Sequence, residues 1–333
     1  MAIRTSSDGP EEILSGLFRI QVPLPRSPLR SINAWVIPGG DRVLLVDTGM
    51  FRPECETVLL GGLSVLGIDL TRLDVFITHI HADHSGLAGV LAERGARILM
   101  GRREAVLLDA FGDKKRFAAV LVEQGVTYGI PRQDLERAAR GHPGLRYSPD
   151  GYPPVTTVDP GDVLAAGGYR FEAVATPGHT PGHLCLWDAG HRLLMSGDHI
   201  LGDITPNITS WPGVADSLGD YLRSLDLVRR LDPALALPGH RSPITEPLVR
   251  IAELERHHEA RLAEVEAILA DGPLTVCEVA SRMTWDIRAE NWSAFPDAQK
   301  WFACGEAASH LDRLAVLGRA RSAGDPPRWE VIP

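Results

Sequence analysis

Between positions 79 and 84 the chain reads His79-Ile80-His81-Ala82-Asp83-His84, three imidazoles and a carboxylate in six residues. A packed core has no need of such a cluster, whereas zinc-type metals select these donors. The run follows Val75-Phe76-Ile77-Thr78, whose β-branched and aromatic side chains predict a buried strand. It precedes Ser85-Gly86-Leu87-Ala88-Gly89-Val90, which predicts the start of a helix. The cluster therefore falls on a strand-to-helix loop, where residues held by a rigid scaffold commonly do chemistry. His79 and His81, two apart on an extended segment, can point the same way and share one ion. Asp83 and His84 lie past the bend and can face a second.

Later strands supply further donors. Residues 169–175 alternate like a strand and run into Thr176-Pro177-Gly178-His179. Residues 192–197 run into Asp198, and residues 234–239 run into His240. Each is a largely apolar strand, then glycine, then one donor. In this order the residues resemble the metallo-β-lactamase-fold superfamily of metal-dependent hydrolases, over about residues 17–243. The resemblance implies an α/β (α+β) fold, the αββα sandwich, holding two divalent ions. Zinc is the expected metal, with iron or manganese left open. By the same resemblance one ion takes His79, His81 and His179, the other takes Asp83, His84 and His240, and Asp198 bridges them. Asp83 and Asp198 are the implied catalytic carboxylates. Asp47, in Val43-Leu44-Leu45-Val46-Asp47-Thr48-Gly49, matches a strand-end aspartate that orients a ligand without binding metal, a role with a clear physical use. The intact Asp83-His84 pair points away from true β-lactamases and toward the thioesterase, lactonase, phosphodiesterase and nuclease branches.

Composition is that of an ordinary globular protein. With 333 residues, 44% hydrophobic and 23% charged, the chain can form one large domain and a small one. Its N-terminus has no apolar secretory core, and no run approaches the ~18 apolar residues of a membrane span. Cys55, Cys185, Cys277 and Cys304 are scattered, as expected of reduced thiols in the cytoplasm. The net charge of −9 disfavours a nucleic-acid partner.

The pattern divides the chain into residues 1–244 and 245–333. In the first, strands are expected at 17–22, 31–37, 42–46 and 97–100, helices at 53–66 and 85–94, and a helical insertion at 111–140. In the second, a long amphipathic helix over 247–269 stops at Asp271-Gly272-Pro273. Thr275 and Glu278 form a capping box for a short helix, a third helix covers 298–317, and a hairpin closes the chain. Helix, helix, helix, hairpin is a winged-helix plan, and it resembles the small C-terminal domain of the lactamase-β-like group, which includes single-strand endoribonucleases. Residues 286–295 read as an insertion between the second and third helices. Here, however, residues 245–333 hold 10 Lys and Arg against 15 Asp and Glu, a net of −5. Nucleic-acid binding draws its affinity from neutralised phosphates. A structural role is therefore expected, packing on the hydrolase domain or on a second copy in a homodimer.

The surroundings of the donors bear on the substrate. Residues 201–213, just after Asp198, offer Ile204, Ile208 and Trp211 as an apolar wall and contain no Lys or Arg. Tyr221 is a candidate oxyanion donor, Arg241 a candidate carboxylate anchor, and His199 a candidate acid facing the pocket. His183 reads as a residue that supports the ligands. No GxSxG elbow is present, and a water ionised by the metal pair needs none. The expected function is a dinuclear metal-dependent hydrolase of a small acyl substrate: thioester, lactone or other ester. The alternatives are a metal-dependent endoribonuclease or phosphodiesterase, and a non-hydrolytic di-iron or binding protein.

Overall fold

The computed structural model describes residues 9–25, 27–286 and 289–332. Strands β1 (Glu11–Leu14), β2 (Leu17–Pro23), β3 (Ser31–Ile37), β4 (Val43–Val46), β5 (Leu73–Ile77), β6 (Arg97–Gly101) and β7 (Thr156–Val158) follow one another across one sheet. It is antiparallel from β1 to β4 and parallel from β4 to β7. Strands β8 (Val163–Ala166), β9 (Tyr169–Ala175), β10 (Leu184–Asp188), β11 (Leu193–Gly197) and β12 (Leu235–Pro238) form a second sheet in the order β12-β11-β10-β9-β8. A terminal hairpin joins β13 (Ala320–Ala323) to β14 (Arg328–Val331). The helices are α1 (Pro53–Val65), α2 (Ala82–Ser85), α3 (Ala88–Ala92), α4 (Arg102–Phe111), α5 (Lys114–Thr127), α6 (Arg132–Gly141), α7 (Pro143–Arg146), α8 (Ser217–Leu231), α9 (Pro247–Leu269), α10 (Val276–Arg282) and α11 (Asp297–Val316).

Alternation along the strands builds the layers, because successive side chains leave opposite faces of a sheet. Leu44, Val46 and Phe76 point inward and meet Phe171, Leu186, Met195 and Leu237 of the second sheet. Their neighbours Leu45, Val75 and Ile77 point outward and pack under Leu59 and Leu63 of α1 and Leu91 of α3. On the far side, Val174, Cys185 and Leu194 share one apolar cluster with residues of α8, α9, α10 and α11. The result is helix, sheet, sheet, helix, with the C-terminal helices built into the outer layer.

Several boundaries differ from the sequence expectation. The helix expected at 85–94 begins earlier, at Ala82 inside the donor cluster, and breaks at Gly86 before α3. The helical insertion begins at Arg102 and is cut into pieces; Asp113 accepts from the Lys115 and Arg116 amides and starts α5 afresh. Strand β10 gave no periodic signal because all five of its residues are buried. The expected helix over 247–269 is α9, and the Thr275–Glu278 capping box opens α10. Of the expected insertion at 286–295, positions 287 and 288 lie outside the described residues; a single 3₁₀ turn covers Trp292–Ala294. Among the described residues no helix is long and apolar enough to cross a membrane.

Trp35 of β3 is buried between the sheets, and its Nε1 donates to the Pro238 carbonyl at 3.2 Å, beside the end of β12. Trp35→Ala should destabilise the protein by about 3–5 kcal/mol, the range for a deleted core aromatic. A urea midpoint unchanged from wild type would contradict this packing.

Candidate metal centre

Four strand ends bring the donors together: β5 leads to His79, β9 to His179, β11 to Asp198 and β12 to His240. Glycine precedes the last three because neighbouring atoms leave no room for a Cβ there. A Cβ on Gly239 would lie 2.7 Å from Asp198 Oδ1 and from His84 Cε1. Gly178, at φ +139°, would strike the Tyr221 backbone at 2.5 Å. The first cluster divides at the helix start: His81 stands at the N-cap position of α2, while Asp83 and His84 lie within it.

Three donor groups converge, with ligand-type atoms inside 4.8 Å of one another: His79, His81 and His179; His79, His84 and Asp198; Asp83, His84 and His240. Asp198 Oδ2 stands 3.4 Å from His84 Nε2, 3.5 Å from His240 Nε2 and 3.7 Å from His179 Nε2, so it faces both of the sets expected from the sequence. Asp83 Oδ2 is 3.3 Å from His240 Nε2.

The hydrogen bonds on the outer side of each ring fix which nitrogen faces inward. His179 Nδ1 donates to the Asn207 carbonyl, His240 Nδ1 to the Ser31 carbonyl and His84 Nδ1 to Asp47, each at 2.8 Å. Thr78 Oγ1 donates to Asp47, so it accepts from His79 Nδ1 at 3.0 Å. Every one of these rings therefore turns its Nε2 toward the centre, as a lone pair or, at His240 beside Asp198 and Asp83, as a proton that a metal ion would displace. His79 Nε2 and His179 Nε2 each lie 3.0 Å from His81 Nδ1, where one proton could satisfy only one of them. His84 Nε2, His240 Nε2 and Asp198 Oδ1 are buried with no hydrogen-bond partner. Converging lone pairs and orphaned buried donors are what divalent cations resolve, so the residues present fit a metal.

Electrostatics point the same way. Burial pushes His79 well below the ordinary imidazole range and His81 to about 3, aided by neighbouring imidazoles. Burial works to raise Asp83, yet the 3.3 Å contact with His240 and the nearby imidazoles hold it at about 2, so it stays ionised. His240 also overcomes burial, raised to about 10 by Asp198 and Asp83.

A cavity of about 430 Å³ opens directly on this cluster, bordered by His81, Asp83, His179 and Asp198. A family model described as the metallo-beta-lactamase superfamily matches residues 27–240. The chain belongs to that superfamily. This superfamily member is 26% identical over 309 residues to the probable metallo-hydrolase YqjP of Bacillus subtilis, covering 90% of this chain and 92% of that protein. It is 28% identical over 244 residues to acyl-coenzyme A thioesterase MBLAC2 of Homo sapiens, covering 71% and 82% of the two chains. The crystal structure of a metallo-beta-lactamase family protein from Thermus thermophilus superposes with a TM-score of 0.81 at 29% identity, over 96% of this chain and all of that one. The shared fold and the His/Asp cluster make this a metal-dependent hydrolase of the superfamily.

Several residues singled out from the sequence stand elsewhere. Ile204 and Trp211 border the cavity, and the Trp211 ring stacks on His81 at 6.3 Å between centroids. Ile208 does not border it: its side chain is buried in the outer core, and its carbonyl accepts from Ser309. Tyr221 sits on the buried face of α8 and its hydroxyl donates to the His199 carbonyl, away from the donors. His199 itself is fully buried beside Tyr221, not in the cavity wall. Arg241 donates to the Pro28 carbonyl and lies 3.6 Å from Asp203, on a separate surface depression. His183 accepts from the Asp198 amide at 3.3 Å, and its Nδ1 meets Thr176 Oγ1 at 2.8 Å, which fixes the backbone under Asp198.

One residue was not anticipated at all. Glu104 of α4 is wholly buried and accepts from the Ile80 and Gly182 amides, both at 2.7 Å. It thus joins the loop of His79 and His81 to the loop between His179 and His183. Burial raises its carboxyl to about 7 despite these hydrogen bonds. The signal was absent from its surroundings in sequence, where Arg102-Arg103-Glu104 reads as a solvated helix start.

Glu104→Gln, which replaces one accepting oxygen by a donor, should weaken metal affinity about 10- to 100-fold by chelator competition while leaving the fold intact. Unchanged affinity would reduce Glu104 to packing. In protein stripped of metal, stability should fall as pH drops below 6.5. Burial depresses His142 and His310 to about 4 and His199 to about 3, so the unfolded chain takes up these protons first. Glu104 and Asp312, raised by burial to about 7 and about 6, oppose this slope but are outnumbered by the depressed histidines; raised His240 is protonated in both states there, and its stabilisation is lost as pH climbs toward about 10. Melting temperatures across pH 4–7 that stay flat would contradict this.

Proposed function

We propose that this chain is a dinuclear hydrolase of uncharged acyl substrates: thioesters, lactones or other esters. The observation that carries the reading is the character of the cavity beside the donor cluster. Its wall includes Met50, Leu108, Phe117, Ile204, Trp211 and Phe302. The one cation among its described lining residues, Lys114, is ion-paired with Asp150 at 2.8 Å. A phosphodiester would need cations there. The likeness to a protein named acyl-coenzyme A thioesterase supports hydrolysis at an acyl carbonyl.

We assign one ion to His79, His81 and His179, the other to Asp83, His84 and His240, and Asp198 to both; three imidazoles at the first site, and two with a carboxylate at the second, suit zinc. When bound, the ions supply a nucleophile of hydroxide strength at neutral pH and polarise the substrate carbonyl. Asp83, ionised and bordering the cavity, accepts a hydrogen bond from the attacking water and fixes its approach. Trp211 holds the acyl group against His81. Tyr152, kept protonated by burial and bonded to Ser85 Oγ at 3.1 Å, borders the same cavity and can donate to the departing group. We assign catalysis to residues 1–244 and an architectural role to the winged-helix-like 245–333, whose negative charge argues against RNA. The reduced cysteines fit a cytoplasmic setting.

Elemental analysis together with a panel of thioesters, lactones and single-stranded RNA tests this. Two ions per chain and turnover of acyl substrates alone are expected; cleavage of RNA alone would overturn it. His81→Ala should abolish turnover through loss of metal. Trp211→Ala should keep its metal and raise KM about 10- to 100-fold, the effect of losing ~1–3 kcal/mol of apolar contact.

A further inference from the structure

The cavity does not end at the donors. Beyond them its wall is completed by Phe117 and Leu121 of α5, His142 at the start of α7, and Trp301 and Phe302 of α11. These side chains come from three separate parts of the sequence. Leu121 and Trp301 belong to a small apolar cluster of their own, against which Phe117 and Phe302 pack. The His142 ring lies 5.1 Å from Trp301, 5.2 Å from Phe302 and 5.6 Å from Phe117, near-perpendicular to the first and third. Burial holds His142 at about 4, so the aromatic group carries no charge at neutral pH. A wall with neither charge nor free cation selects an apolar occupant.

We propose that this aromatic wall is the distal end of an acyl-binding chamber, and that helix α11 thereby sets the length of the acyl group the enzyme accepts. This rests on the acyl-hydrolase reading of the centre. A chamber of about 430 Å³ holds roughly 14 groups of water size, at ~30 Å³ each. Some of that space belongs to the nucleophile and the reacting carbonyl. The fitting substrate is therefore an uncharged acyl group of about ten heavy atoms, with its carbonyl at the donors and its far end against Trp301 and Phe302. The appended C-terminal region then acts as a specificity element.

The test uses straight-chain primary amides, which are uncharged and are not thioesters or lactones, titrated into the full-length protein after metal removal, with binding read by calorimetry. Affinity should rise about fourfold per methylene, the ratio that corresponds to ~0.8 kcal/mol, and level off near ten carbons. Phe302→Ala should move that plateau to longer chains, and Leu121→Phe should move it to shorter ones. Metal content of both variants, loaded separately, should match wild type. Two opposite shifts cannot come from general loosening of the fold. A plateau that neither variant moves, or a wild-type affinity indifferent to chain length, overturns the proposal. If the plateau moves as expected but no acyl substrate is turned over by the loaded enzyme, the chamber stands and the acyl-hydrolase reading falls.

Discussion

The buried carboxylate of Asp47 is the constraint on which the centre is organised. It sits at the end of β4 with a left-handed backbone, φ 61°, a conformation aspartate tolerates better than most residues. From there it accepts the Thr78 amide at 2.9 Å, the Thr78 hydroxyl, and His84 Nδ1 at 2.8 Å. One side chain thus fixes the strand end before His79 and the ring of His84 on the next helical turn. Thr78, held by Asp47, in turn accepts from His79. A buried anion is costly unless every lone pair finds a donor, and here the donors are the elements that must be aligned. Satisfying Asp47 and assembling the donor cluster are the same structural event.

The opposite side of the centre is held from the C-terminal region. Asn207, whose carbonyl orients His179, has its amide on Glu306 of α11 at 3.1 Å. Ser309 donates to the Ile208 carbonyl, the Ser210 amide to the Gly305 carbonyl, and Ser210 Oγ to Asp312. Gly305 leaves room for this approach, since a Cβ there would lie 2.2 Å from Thr209 Oγ1. The loop over the donors is therefore clamped between sheet and helix.

What could be read in the sequence was whatever is local. Strand, glycine, donor is a short-range pattern, and the donors it marked at 79–84, 179, 198 and 240 converge in space. The partner of His84 was legible as well, because Asp47 closes an equally plain apolar strand. Loop side chains were harder. Alternating residues such as Ile204 and Ile208 look equivalent in sequence, yet one borders the cavity and the other fills the core. Tyr221 could not be placed from the sequence, because helical phase, not proximity to Asp198, decides where its hydroxyl goes. Glu104 left no trace, and nothing local showed that Phe117, His142, Trp301 and Phe302 would meet, since they lie up to 185 positions apart in the chain. No spacing rule spans such separations.

The clamp between residues 207–210 and α11 also imposes an order on synthesis. A nascent chain that has emerged through His240 carries every donor of the centre, but α11 is still inside the ribosome or not yet made. Its residues 204–213 then lack the Glu306, Ser309 and Asp312 contacts that hold them. The reactive end of the molecule comes first and the part that disciplines it follows, so the finished geometry belongs to a chain that has emerged through α11.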